Sequence, residues 1–237
     1  MTHLLIMNMF LRTKNRKAIS AVLTTLIILV ASVVLGTGVV LYGTSLFQTG
    51  AQSSGVTAQG AHVWVNATSG ISPTYVWGAA EVRNSGEKIL SVDQISVRGS
   101  QIPFANWYYD SNPTRVTTAN FQSQLNFTGT ATTAYIAAHP GVTSGMMQSY
   151  AAAAPNGCAI SSTQFYINEF GLLSTNPAMC FTQASGPISL KPGDRVVVYF
   201  QVPTGIFTTV DAGSQSSVAI YAGSVGAPQS ITVESKS

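Results

Sequence analysis

The chain has 237 residues, 46% of them apolar and only 8% charged, where soluble domains carry about 25% charged residues. Apolar content is ample for one domain and an extra element, while Ser, Thr, Asn, Gln and Gly replace the missing charge, which argues against a cytosolic enzyme and for an extracytoplasmic surface protein. The formal charge of +3 gives no basic face for nucleic acid. Arg12, Lys14, Arg16 and Lys17 account for four of the eleven basic residues, and the other seven are scattered among eight acids.

The segment Arg12 to Lys17 reads RTKNRK, and no charged residue follows it until Glu81. From Ala18 to Phe47 the chain is apolar or small on every side. As a helix this run is ~45 Å long, and ~20 residues already cross a bilayer core. It lacks the single apolar stripe of a surface helix. The basic residues before it would hold its start on the cytoplasmic side. A conventional secretory signal is shorter and ends at an Ala-x-Ala-like site, which is absent here. A permanent single-pass anchor and a precursor cut just before the run both remain.

Arg16-Lys17-Ala18-Ile19-Ser20 resembles the class III signal peptide of archaeal type IV pilins and archaellins. The resemblance implies cleavage after Ala18 by a prepilin/preflagellin peptidase, so that Ile19 starts the mature chain. Gly is the usual residue where Ala18 stands. The fifth mature position is Leu23, which suits the archaeal branch, since bacterial type IV pilins carry Glu there. The resemblance further implies a homopolymer with an assembly ATPase and a membrane platform protein as partners, and no cofactor. A helix apolar all round is stable in lipid and again among copies of itself, because apolar surface never meets water. Leu26, Leu29, Val33, Gly36 and Val40 are expected in the filament core. Ser32, Gly36, Gly38 and Gly43 would let neighbouring helices approach closely.

Residues 48–61 are small and polar and read as the end of the helix or a linker. Period-two patterns then dominate. His62–Asn66, Val76–Arg83, Ile89–Arg98, Arg195–Val202, Ser217–Ala222 and Ser230–Glu234 read as strands. Asn84-Ser85-Gly86 and Lys191-Pro192-Gly193-Asp194 read as turns. Strands at this spacing predict a sandwich or small barrel, and the pattern resembles the β-sandwich heads of archaellins and archaeal pilins. Glu81 and Asp93 are expected on solvent faces of strands. The stretch from about 103 to 187 is less regular and reads as an insertion on the head. Its Trp107-Tyr108-Tyr109 reads as core, with contact to neighbouring subunits as the alternative.

Cys158 and Cys180 are the two cysteines. In an exported chain they suggest one disulfide, against the alternative of two buried thiols. Their spacing does not fit a zinc or CxxC site. The histidines His3, His62 and His139 are far apart, and no GxSxG or HExxH motif occurs. The residues thus offer no nucleophile, base or metal signature. Asn66-Ala67-Thr68 and Asn126-Phe127-Thr128 are N-glycosylation sequons, which would supply solubility that side-chain charge does not.

The expected fold class is α+β. A signal peptide over 1–18 precedes a hydrophobic helix over 19–55, and a β-sandwich head spans 56–237. The expected role is a non-enzymatic subunit of a surface filament, lodged in the cytoplasmic membrane as a precursor. The alternatives are an archaellin and an uncleaved, membrane-anchored β-sandwich binding module.

Overall fold

The computed structural model describes residues 2–51, 55–66, 75–116, 125–150, 154–168 and 178–236, with side chains of the first helix described over 20–45. Two units result, divided after Gln52. The first is α1 (Thr2–Ala51), a single 50-residue helix. The small polar residues 48–51 thus finish the helix, and β1 already begins at Val56.

The second unit is built on a large, mostly antiparallel sheet, which makes the chain α+β as expected. Its strands are β1 (Val56–Asn66), β2 (Val76–Asn84), β3 (Leu90–Val92), β4 (Gln94–Val97), β5 (Ser100–Ile102), β6 (Trp107–Asp110), β7 (Gln164–Asn168), β8 (Ala178–Gln183), β9 (Ile188–Leu190), β10 (Arg195–Val202), β11 (Gln215–Ala222) and β12 (Val225–Lys236). Ten of them pair in the order β5-β4-β11-β12-β1-β2-β10-β6-β8-β7, while β3 and β9 form a separate ribbon. All pairings of these strands are antiparallel except β1 with β12.

The sheet curls on itself. With strands ~4.8 Å apart, β5 and β10 would lie ~29 Å apart in a flat sheet, yet their Cα atoms come within 8 Å. The inside of the curl is one core, joining Val63, Val82, Val92, Ile95, Val198, Phe200 and Ile220. Two layers therefore come from one continuous sheet. Gly78 of β2 sits where a Cβ would lie 2.3 Å from the Phe200 ring, so this position admits no side chain without displacing the ring.

The outer face of β1, β2 and β10 is covered as well. Val116, Leu125, Phe127, Ala131, Val142, Met146 and Met147 pack there against Trp64, Trp77, Ala79, Val197 and Tyr199. Two short helices, α2 (Pro113–Val116) and α3 (Thr133–Ala138), flank this cover. Thr132 caps α3, accepting the Tyr135 N–H through its side chain. Burial on both faces explains why β10 reads RVVVYFQV, a nearly continuous apolar run, where a one-sided strand would alternate.

The stretch 103–187 is thus more regular than its sequence suggests. It supplies β6, β8 and β7, which extend the main sheet from β10 outward, and the cover over its outer face. Trp107 and Tyr108 are both buried, on opposite faces of β6, and Tyr109 is half-buried.

Both turns form. Asn84 accepts the Gly86 N–H on Oδ1 and donates through Nδ2 to the Lys88 and Leu190 carbonyls. Asp194 donates its N–H to the Lys191 carbonyl, and its carboxylate accepts the Lys191 N–H at 3.1 Å.

Candidate functional site

The sequence places its strongest signal on α1. Ser20–Ser45 is 26 residues of apolar helix, long enough to cross a membrane. Fourteen large apolar side chains from Val22 to Tyr42 are each 51–72% exposed. They include Leu26, Leu29, Val33 and Val40. Covering them is worth on the order of 20 kcal/mol at the usual gain per buried side chain, which is compatible with a membrane-associated helix. Gly36, Gly38 and Gly43 have open space where a Cβ would stand, which leaves notches in the helix surface.

Several hydroxyls of this helix are already satisfied. Thr24, Ser32, Thr37 and Thr44 turn their hydroxyls back onto carbonyls three or four residues earlier. An apolar medium can therefore surround the helix without stranding a hydroxyl donor at these positions. Arg16, Lys17, Ala18 and Ile19 lie within the helical backbone; their side chains are outside the described residues.

Cys158 and Cys180 are bridged, with Cα atoms 5.8 Å apart. The bridge ties the segment before β7 to β8. In the chain-entropy view, closing 22 residues stabilises the head by about 3 kcal/mol. The Cys180 N–H donates to Asp110 Oδ2 at 2.9 Å. Arg115 grips the same carboxylate with Nε at 2.6 Å and Nη2 at 3.0 Å. Asp110 is buried, and this two-pronged pair offsets the cost of burying its charge. A polar cleft of about 530 Å³ opens beside it, bounded by Tyr109, Asn112, Arg115, Asn156, Gln164 and Thr182.

Glu81 does not lie on a solvent face. It is 2% exposed, because the covering layer closes over the outer face of β2. Arg195 Nη1 lies 3.4 Å from its Oε1, and Oε2 has no hydrogen-bond partner among the described residues. Such an orphan oxygen costs about 1–3 kcal/mol. Asp93 is half-buried, and its carboxylate accepts the Gly223 N–H.

Two further charged contacts are invisible in the linear sequence. His62 Nδ1 lies 2.7 Å from Glu234 Oε1, across 172 residues of chain. Arg98 Nη2 donates to Asp211 Oδ1 at 2.9 Å, with its guanidinium over the Phe207 ring. The Asp211 carboxyl is held below its usual range, chiefly by the Thr208 backbone N–H and hydroxyl and then by Arg98. Burial pushes the Tyr108 phenol up.

The two sequons differ. Asn66 is buried, and its Nδ2 donates to Thr130 Oγ1 at 2.9 Å, so a glycan on that nitrogen would displace a buried contact. Asn126 is half-buried and held through its backbone, with N–H and carbonyl both bonded to the Tyr199 hydroxyl. Among the described residues no group of three or more His, Cys, Asp or Glu stands where it could hold a metal ion. No protein-family model matches the chain, and no curated protein matches it.

Proposed function

We propose that the chain is a structural subunit of an archaeal type IV pilus-like surface filament, assembled through its N-terminal helix. The observation that carries this reading is the exposed, charge-free surface of Ser20–Ser45, next in sequence to Arg16-Lys17-Ala18. The precursor rests in the membrane through this helix. A prepilin-type peptidase cuts after Ala18, and an assembly ATPase with a membrane platform protein moves the subunit into the filament. Helices then exchange lipid for one another at little cost, because both surroundings are apolar. The head has its own core and disulfide, so it supports an adhesive outer wall. A glycan is expected on Asn126 rather than Asn66, because the Asn66 amide is spent on Thr130.

The test is the mass of the protein recovered from sheared surface filaments, with electron microscopy of the same preparation. The expected result is filaments enriched in a chain beginning at Ile19. A chain that keeps its first eighteen residues, with no filaments enriched in it, points instead to a membrane-anchored β-domain that binds a partner. An archaellin would give the same mature chain, in filaments whose loss abolishes swimming rather than attachment.

A further inference from the structure

The first and last strands of the head meet at a short seam. β1 and β12 pair in parallel only through Val63–Asn66 and Val233–Lys236. On the N-terminal side they diverge around a cleft of about 620 Å³, bounded by Val56, Thr57, Gly60, Ala227 and Gln229. A bulge between Gln59 and His62, with Gly60 at φ 58°, shifts the pairing of β1 with β2 beside it. Four residues per strand thus join the first and last strands of the head, in the parallel arrangement that is slightly weaker per residue.

A cluster of side chains clasps this seam. Trp64 and Glu234 face each other directly in register. Glu234 Oε2 accepts the Trp64 indole N–H at 3.0 Å, and Oε1 meets His62 Nδ1 at 2.7 Å. The His62 ring stacks on Trp64 with centroids 5.5 Å apart and planes 1° from parallel. Trp64 is itself buried against Phe127 and Tyr199. One carboxylate therefore links a buried indole on one strand to a half-exposed imidazole on the same strand, from the strand opposite.

The charged surroundings are sparse. β12 offers Glu234 and, two residues on, the exposed Lys236. β2 offers Glu81, which turns toward Arg195 of β10. The covering layer contributes Phe127, which does not titrate, and β10 contributes the Tyr199 phenol, bonded to the Asn126 backbone. Glu234 is thus the direct partner of any charge on His62.

We infer that His62 and Glu234 make the β1–β12 seam an acid-strengthened latch, which holds the C-terminal strand more tightly when the imidazole carries a proton. Nδ1 donates to Glu234 in either state, but only the protonated ring makes the contact an ion pair. Charge-assisted hydrogen bonds are roughly twice as strong as neutral ones, and histidine is the side chain that changes charge between about pH 5 and 8. The indole bond is common to both states and keeps the carboxylate in place. Release of the seam frees the edges of β1 and β12 that already part at the cleft.

The test is amide hydrogen exchange of the full chain in detergent micelles, followed by mass spectrometry across the histidine range and corrected for intrinsic rates. Protection of Val233–Lys236 should rise about two- to fivefold as pH falls, with β2 and β10 unchanged. His62→Gln keeps a hydrogen-bonding side chain without the charge and should flatten that rise; Glu234→Gln should flatten it too. High salt should shrink the rise in the unaltered protein. A flat profile in the unaltered protein, an equal rise in either variant, or indifference to salt overturns the latch. None of these readings depends on whether the chain forms filaments.

Discussion

The two units of this chain solve the same problem in opposite ways. α1 carries fourteen large apolar side chains that its own unit leaves exposed, yet Thr24, Thr25, Ser32, Thr37 and Thr44 turn their hydroxyls back to its own carbonyls. The second unit buries most of its large apolar residues in two cores of its own and sets several of its few charges in pairs. The helix is unfinished in apolar terms. The head closes its apolar cores but leaves the buried Glu81 Oε2 without a partner among the described residues. The difference teaches where the chain depends on its surroundings: a substitution in the helix should be felt in the membrane or the assembly, and one in the head should be felt in folding.

The sharpest break in that contrast is a charge on the helix. Leu29→Asp or Val33→Asp places a carboxylate in the middle of the apolar span, at a cost of about 2.5–3.5 kcal/mol for membrane insertion. If the chain assembles as proposed, filaments should disappear from electron micrographs, while near-ultraviolet circular dichroism of the head stays as it was. Normal filaments from either variant would contradict a packed helical core.

The converse break lies inside the head. Trp77 is fully buried and donates its indole N–H to the Gly145 carbonyl. Trp77→Ala should cost about 3–5 kcal/mol, seen as a lowered denaturant midpoint. Extraction of the helix from membranes should not change. Gly78→Ala should cost about 1–3 kcal/mol by pressing on Phe200.

A smaller effect sharpens the contrast. Cys158→Ser together with Cys180→Ser should lower the stability of the head by about 2–4 kcal/mol. Added reductant should then have no effect on the double variant, whereas it should destabilise the unaltered protein by a similar amount.

The smallest expected effect is a pH dependence at Asp211. Its folded carboxyl titrates below its ordinary value. The stability that it contributes is therefore present above the unfolded carboxyl range and is lost as pH falls through the folded value. Asp211→Asn should lower the denaturant midpoint slightly near neutrality and not at all in strong acid. An equal difference at both ends would remove the carboxylate from the account.

Much of the fold was legible because its causes are local. The helix follows from thirty residues without charge, and β10 from a β-branched run after a Pro-Gly turn. The observed β10 has the same bounds as the expected strand, and β1 and β12 extend theirs. The disulfide could be expected from two cysteines in a chain whose sequence reads as exported. The stretch 103–187 was harder. Its strands β6, β7 and β8 are only four to six residues long, and both faces of Trp107-Tyr108 are buried, so no alternation marks them.

What the sequence alone determined is thus the division of labour: an apolar helix preceded by all the clustered charge, then a β-rich head held by turns and one cysteine pair. These depend on neighbours within a few residues, where composition and period are sufficient. Only the tertiary structure decided that Glu81 is buried, that Asp110 meets both Arg115 and the Cys180 backbone, and that His62 meets Glu234. Each of these depends on which faces of distant strands are covered, and the curl of the sheet with its outer layer sets that.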